Sequence, residues 1–75
     1  MKKDILVKFG QHIKYLRQQK HLSQEQLAEL AGVHRTYIGM LERGEKNATI
    51  ETLYKLSTAL GIPMSSLLEL ENINE

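Results

Sequence analysis

Cysteine and tryptophan are missing from this 75-residue chain, and proline occurs only once. Without cysteine, disulfide bonds and cysteine-containing metal sites are excluded, and the composition fits a reducing cytoplasm. No apolar run is long enough to cross a bilayer, and the opening Met1-Lys2-Lys3-Asp4 does not lead into the apolar stretch of a signal peptide. We therefore expect one cytoplasmic domain over residues 1–75, stabilised by packing or oligomerisation rather than by cross-links.

Charge is nearly balanced over the whole chain, at +1 near neutral pH with histidine neutral, but it is unevenly distributed. Residues 1–46 carry nine Lys or Arg and five Asp or Glu, whereas residues 47–75 carry one Lys and four Glu. A basic first part suits a polyanionic partner, and an acidic last part suits a different task. Ordinary solvated helix surface explains the same asymmetry equally well, so charge alone does not decide the function.

Apolar residues recur at helical spacing along nearly the whole chain, and no segment alternates as a half-buried strand does. The pattern predicts an all-α fold of five short helices and no strands, with a core spanning about residues 5–70 and a frayed tail at 71–75. The residues expected on the inner faces of the five helices are Ile5, Phe9, Ile13, Leu16, Leu27, Leu30, Ile38, Leu41, Ile50, Leu53, Leu56, Leu60, Leu67 and Leu68.

Helix boundaries are marked by capping residues. Ser23 is placed to cap the second helix, with Gln26 three residues later completing a capping box. Gly32 is expected to end that helix in the left-handed conformation. Gly44 and Gly61 are expected to close the third and fourth helices, and Thr49 to cap the start of the fourth.

The second and third helices, within residues 23–44, are short and joined by a tight turn at Gly32. This is the helix-turn-helix plan, in which the second helix of the pair lies in the DNA major groove and the first crosses the backbone. Ala28 is small enough to let the two helices approach each other. With Ile38 and Leu41 facing the core, the polar side of the third helix, including Gly39, faces outward. Close approach to DNA or to a helix explains Gly39 as well as a tolerated surface glycine does.

Polar residues cluster around this predicted recognition helix. Arg35 can donate two bonds to guanine, Thr36 offers a hydroxyl and a methyl group, and Tyr37 can reach the sugar-phosphate wall. Gln24 and free backbone donors at the start of the second helix can hold a phosphate. A solvated surface residue is the simpler explanation for any one of them, and only the cluster favours DNA. The predicted DNA-contacting residues are Gln24, His34, Arg35, Thr36, Tyr37, Arg43, Lys46 and Asn47.

The segments 22–28, 31–33 and Ile38-x-x-Leu41-Glu42-Arg43-Gly44 together resemble the Xre-like helix-turn-helix family of phage Cro and repressor proteins, over roughly residues 5–70. The segments 34–39 and 42–47 further resemble the controller proteins of restriction–modification systems. That resemblance implies a small dimeric regulator without a ligand domain, which binds paired operator sites ahead of its own gene and the endonuclease gene. It also implies an ion pair between Arg17 and Glu42. Their places late in the first helix and at the end of the third allow such a pair, and the alternative is that both side chains are exposed and unpaired.

Two protein partners are expected besides double-stranded operator DNA. One recognition helix covers too few base pairs for genomic specificity, so a homodimer reading two half-sites is predicted. Its interface is expected in the acidic, apolar-rich C-terminal third, although core packing explains the leucines there equally well. The resemblance also implies that the acidic surface of the second helix contacts RNA polymerase. The interface candidates are Leu53, Tyr54, Met64 and Leu67, and the polymerase candidates are Glu25 and Glu29.

Nothing in the sequence favours catalysis. The histidines at 12, 21 and 34 lack metal-ligand spacing, no residue is marked as a nucleophile, and no glycine-rich phosphate loop is present. We expect no cofactor, metal, membrane or small-molecule ligand. A Cro-like phage repressor or host regulator remains an alternative within the DNA-binding class. From another class, an antitoxin or protein-interaction module remains open, because fold alone does not assign function.

Overall fold

Four α-helices and one 3-10 helix make up the computed structural model, which describes residues 4–70. The helices are α1 (Asp4–Gln19), α2 (Gln24–Ala31), α3 (Arg35–Glu42) and α4 (Ile50–Leu60), followed by the 3-10 helix Met64–Leu68. The all-α prediction is confirmed for this part of the chain, where no strand occurs. The tail predicted to fray, residues 71–75, lies outside the described residues.

The prediction of a fifth α-helix is wrong, because the last element is a single tight turn of 3-10 helix. Pro63 precedes it in an extended conformation, with φ −66° and ψ 152°, and Glu69 has already left helical geometry at ψ 62°. Only five residues are helical, and the Ser66 amide donates to the Pro63 carbonyl three residues back at 3.0 Å. So short a run favours the tighter i to i+3 bond over an α-helix.

The predicted caps of α2 and α4 are confirmed. The Ser23 hydroxyl accepts from the Gln26 amide at 3.0 Å, and the Gln26 side chain accepts from the Ser23 amide at 2.8 Å. The Thr49 hydroxyl accepts from the Thr52 amide at 3.1 Å. Gly32 ends α2 at φ 72°, a left-handed conformation that a residue with a Cβ rarely adopts. These local bonds determine where the helix-turn-helix pair begins and turns.

The core lies where α2 and α3 pack against each other, with α1 covering α3 and α4 covering α2. Ala28 is only 3% exposed, as expected for a small residue at the crossing of two close helices. Apolar side chains from every element meet there: Phe9, Ile13, Leu27, Ala28, Ala31, Ile38, Leu41, Leu56, Leu60 and Leu67. The recognition helix is therefore held from behind by the whole domain.

Four apolar residues predicted to face inward are instead more than half exposed. Each lies in the first two or last two residues of its helix. A periodic pattern identifies the side of a helix but not whether another element covers its end. The four residues are Ile5 (55% exposed), Leu30 (59%), Ile50 (73%) and Leu68 (53%).

Gly10 is a packing residue that the sequence analysis did not single out. It is buried in α1, where a Cβ would overlap the carbonyl oxygen of Leu41 and lie 2.7 Å from that of Glu42. These atoms belong to the backbone of the last turn of α3, so they cannot move aside as a side chain could. The missing side chain is what lets α1 approach α3 this closely.

Replacing Gly10 with alanine should therefore destabilise the domain. We expect a loss of about 1–3 kcal/mol from overpacking, although glycine to alanine in an unobstructed helix stabilises by about 0.5–1 kcal/mol. Urea unfolding of Gly10→Ala measures this, with Gln11→Ala on the exposed side of α1 as the control. A Gly10→Ala variant as stable as the control would show that α1 and α3 are not in close contact.

Candidate DNA-binding surface

The first turn of α3 presents polar side chains to solvent. Arg35 and Thr36 are exposed, while Ile38 and Leu41 on the opposite side of the helix are fully buried. His34 precedes the helix in an extended conformation and makes no side-chain capping bond, as expected for a residue that caps less well than serine or threonine. The predicted base-contacting positions therefore lie together on one open face.

Tyr37 is half-buried and faces the start of α4 instead of open solvent. Its hydroxyl lies 3.4 Å from both the Asn47 carbonyl oxygen and the Thr52 hydroxyl, which are long hydrogen bonds. Lys46 and Asn47 are exposed in the loop between α3 and α4. The contact with Tyr37 keeps this loop beside the recognition helix.

Arg17 and Glu42 form a buried ion pair behind the same face. The Arg17 Nε and Nη2 atoms lie 2.7 and 3.0 Å from the two Glu42 carboxylate oxygens, and the side chains are only 10% and 3% exposed. Arg17 also donates to the Leu22 carbonyl at 2.7 Å. The bidentate pair connects the end of α1 to the end of α3, and the bond to Leu22 connects α1 to the loop that precedes α2.

Gln24 belongs to the same network. Its side-chain amide donates to the Glu42 carboxylate at 2.9 Å, across the crossing of α2 and α3. The sequence predicted only a phosphate contact for this residue, and the bond to Glu42 was missed because the partners are 18 residues apart. Gln24 remains on the exposed side of α2, so the bond positions it at the edge of the recognition face.

Arg43 and Glu45 form a second, exposed ion pair at the end of α3. The Arg43 Nε and Nη2 atoms donate to the two Glu45 carboxylate oxygens at 3.1 and 3.2 Å. The hydrogen bonds that Arg43 donates to the Glu45 carboxylate, and the negative charge of that carboxylate, raise the pKa of Arg43 above its ordinary value. Gly39, expected to face outward in the open, is covered by the Arg43 side chain, whose Nη1 lies 3.1 Å from where a Cβ would be.

Glu25 and Glu29 are exposed on α2 and line a shallow depression together with Val33, His34 and Arg35. The acidic pair predicted for RNA polymerase therefore lies directly beside the first turn of α3.

The predicted dimer residues fall into two groups. Tyr54 is 62% exposed, and Leu53 and Met64 are half-buried. Leu67 is fully buried in the core, so its prediction as an interface residue is wrong. The 3-10 turn directs Leu67 inward and leaves Leu68 exposed, which spacing alone did not reveal.

His12 connects α1 to the 3-10 helix. Its Nε2 donates to the Ser66 carbonyl at 2.7 Å, and the ring stacks beside Tyr15 with centroids 6.5 Å apart. Over residues 4–70, no cluster of three or more His, Asp or Glu side chains is arranged to hold a metal ion. Within the same range, no helix is both long enough and apolar enough to span a membrane.

A capped helix, a glycine turn and a second helix with buried anchors and an exposed polar first turn define a helix-turn-helix DNA-binding protein. The family model described as helix-turn-helix matches residues 13–67, and the chain belongs to this family of DNA-binding transcriptional regulators, which are not enzymes.

Among its relatives, the chain is similar to the control protein C.SmaI of Serratia marcescens, with 46% identity over 65 residues that cover 87% of this chain and 77% of that protein. It is also similar to the crystal structure of the restriction–modification controller protein C.AhdI from Aeromonas hydrophila. The two chains are 50% identical with a TM-score of 0.81, and the match covers 83% of this chain and 94% of the C.AhdI chain. The crystal structure of the biofilm regulator SinR in complex with DNA is similar at 39% identity and a TM-score of 0.77. The match covers 81% of this chain and 98% of the SinR chain.

Proposed function

We propose that the protein is the controller of a restriction–modification system, which binds operator DNA and regulates its own gene and an endonuclease gene. The observation that carries the proposal is the exposed first turn of α3, Arg35 and Thr36, on a helix anchored by Ile38 and Leu41. The similarity to C.SmaI and C.AhdI, each covered over most of its length, supports the controller assignment within the family.

Base contacts are assigned to the start of α3, and backbone contacts to its surroundings. Arg35 donates to the guanine O6 and N7 acceptors, and Thr36 contacts a thymine methyl or a phosphate. Contacts to phosphates position the protein without reading sequence. We assign the backbone contacts to Gln24, His34, Tyr37, Arg43, Lys46 and Asn47, which border the recognition face on its α2 and loop sides.

We assign the homodimer interface to the exposed apolar surface around α4. Tyr54 and the half-buried Leu53 and Met64 contribute to it. Ile50, at 73% exposure, is the most exposed large apolar residue in the described chain and lies on the same helix. Large apolar side chains left exposed on one helix of a small domain favour a protein contact there.

Glu25 and Glu29 are proposed as the contact with RNA polymerase, because both are exposed beside the DNA-reading turn. Like charges four residues apart on a helix are unfavourable by about 0.2–0.5 kcal/mol. The two glutamates therefore do not stabilise α2, and a contact with another molecule explains their presence better. Since its operators and the polymerase are in the cytoplasm of a bacterial cell, we place the protein there.

A footprint of the purified protein on the DNA upstream of its own gene tests the function. We expect two-fold related protection, with half-sites one helical turn or a multiple of it apart. In a promoter assay, Glu25→Lys should keep the footprint and lose activation, whereas Glu69→Lys, an exposed acidic residue after the 3-10 helix, should keep both. A protein that protects no site in this DNA is not a controller. If Glu25→Lys leaves activation unchanged, only the proposed contact with RNA polymerase is wrong.

A further inference from the structure

We propose that Glu45 competes with DNA phosphate for Arg43, so that it limits the affinity of the protein for DNA. In the free protein the Glu45 carboxylate accepts hydrogen bonds from the Arg43 guanidinium, which would otherwise contact the DNA backbone. The inference rests on the proposed function, which places Arg43 beside the DNA.

The geometry of the pair resembles that of a phosphate contact. Two guanidinium nitrogens of Arg43 each face one carboxylate oxygen of Glu45, at 3.1 and 3.2 Å. The same fork binds two phosphate oxygens in bidentate recognition. The two anions therefore compete for one set of donors.

The backbone holds the carboxylate in this place. Gly44 between the two residues is left-handed at φ 76°, and the Glu45 amide donates to the Met40 carbonyl at 2.9 Å. This turn reverses the chain after α3 and brings the Glu45 side chain back to Arg43.

Gly39 places the pair at the edge of the recognition face. The Arg43 Nη1 lies 3.1 Å, and the Gln24 Oε1 3.6 Å, from the position that a Cβ on Gly39 would take. Because Gly39 has no side chain, the guanidinium can lie back across α3 beside Gln24. Arg43 and Gln24, both assigned to the DNA backbone, therefore flank the same position on α3.

The Arg43–Glu45 ion pair is exposed enough for a phosphate to replace the carboxylate. The Arg43 and Glu45 side chains are 56% and 38% exposed, and ion pairs in such solvated positions are weak. A phosphate arriving at Arg43 also brings negative charge towards Glu45, which repels it. DNA binding therefore has to displace the carboxylate, and that displacement lowers the affinity.

The test is DNA binding by Glu45→Gln, using a mixed-sequence duplex because phosphate contacts do not depend on sequence. We expect Glu45→Gln to bind about two- to fivefold more tightly at low salt, with the gain shrinking as salt rises. Glu69→Gln is the matched control, since it removes the same charge after the 3-10 helix and should change the affinity less.

The variant Arg43→Met separates competition from general charge effects. Alone, it should weaken binding and flatten the salt dependence by about one unit. In its background, Glu45→Gln should give no more gain than Glu69→Gln does. Weaker binding by Glu45→Gln would mean that Glu45 orients Arg43, and a gain that persists without Arg43 would mean simple charge repulsion. Either result overturns the proposal.

Failure of the proposed function has a different signature. If Arg43→Met binds DNA as tightly as the unaltered protein, Arg43 does not contact DNA, and both the assigned site and the competition are wrong. If Arg43→Met weakens binding but Glu45→Gln leaves it unchanged, only the competition is wrong. Circular dichroism of each variant verifies that the helices remain folded.

Discussion

Glu42→Gln should lower the free energy of unfolding by about 3 kcal/mol, because removing one partner of a buried ion pair leaves the other charge uncompensated. A domain of this size has a total stability on the order of 4–11 kcal/mol, so the loss is a large share of it. Arg17, only 10% exposed, would keep the Leu22 carbonyl and one amide oxygen at position 42 as acceptors, but it would lose the negative charge that pairs with it. Urea unfolding at neutral pH measures the change.

The control is the same substitution in an exposed pair. Glu51→Gln breaks a contact of 3.9 Å with Lys55, in which the glutamate side chain is 80% exposed. Such a pair contributes about 0.3–0.5 kcal/mol. Equal losses in the two variants would show that the Arg17–Glu42 pair is not buried in solution.

A double variant separates the charge from the space it fills. Arg17→Met with Glu42→Leu removes both charges together, and such apolar replacements of buried pairs are often neutral or stabilising. We expect it to recover part of the loss. Full recovery is not expected, since the Leu22 carbonyl and the Gln24 amide both lose their partners.

Arg35→Ala should weaken binding to the operator by about 1–3 kcal/mol, roughly five- to 150-fold, and relax the preference at one base pair. The reason is that an exposed arginine at the first turn of α3 can donate two bonds to one guanine. Binding to the footprinted operator and to single-base variants of it measures both effects.

Lys46→Ala is the matched control, because it removes one positive charge from the exposed loop beyond α3. It should weaken binding to all sequences alike and flatten the salt dependence by about one unit. If neither Arg35→Ala nor Lys46→Ala affects binding, α3 does not face the DNA in the orientation proposed here.

The helix-turn-helix segment could be located from the sequence because its signals are local. Ser23 and Gln26 bond each other within one turn, and Gly32 ends α2 through its own backbone conformation. The Arg17–Glu42 pair, 25 residues apart, was one of two possibilities left open by the sequence, and the family resemblance favoured it. Periodicity could not have located it, since charged residues ordinarily mark the solvated side of a helix.

Apart from the last helix, which is 3-10 and not α, the errors concern contacts between elements. Leu30 and Ile50 have the spacing of core residues yet are exposed near the ends of α2 and α4. Leu67, predicted at an interface, is buried by the 3-10 turn. The sequence around Gly10 does not show why this position has to be glycine, because the constraint comes from the backbone of α3.

Which segments are helical, where α2 and α4 are capped, and that a polar helix face follows a tight turn could all be predicted from the amino-acid sequence. These features depend on backbone preferences and bonds between residues a few positions apart. The packed helices were needed to show which apolar residues are covered, that Gln24 bonds Glu42, and that Glu45 folds back onto Arg43 beside Gly39. Burial and side-chain pairing depend on what the folded chain brings close from elsewhere.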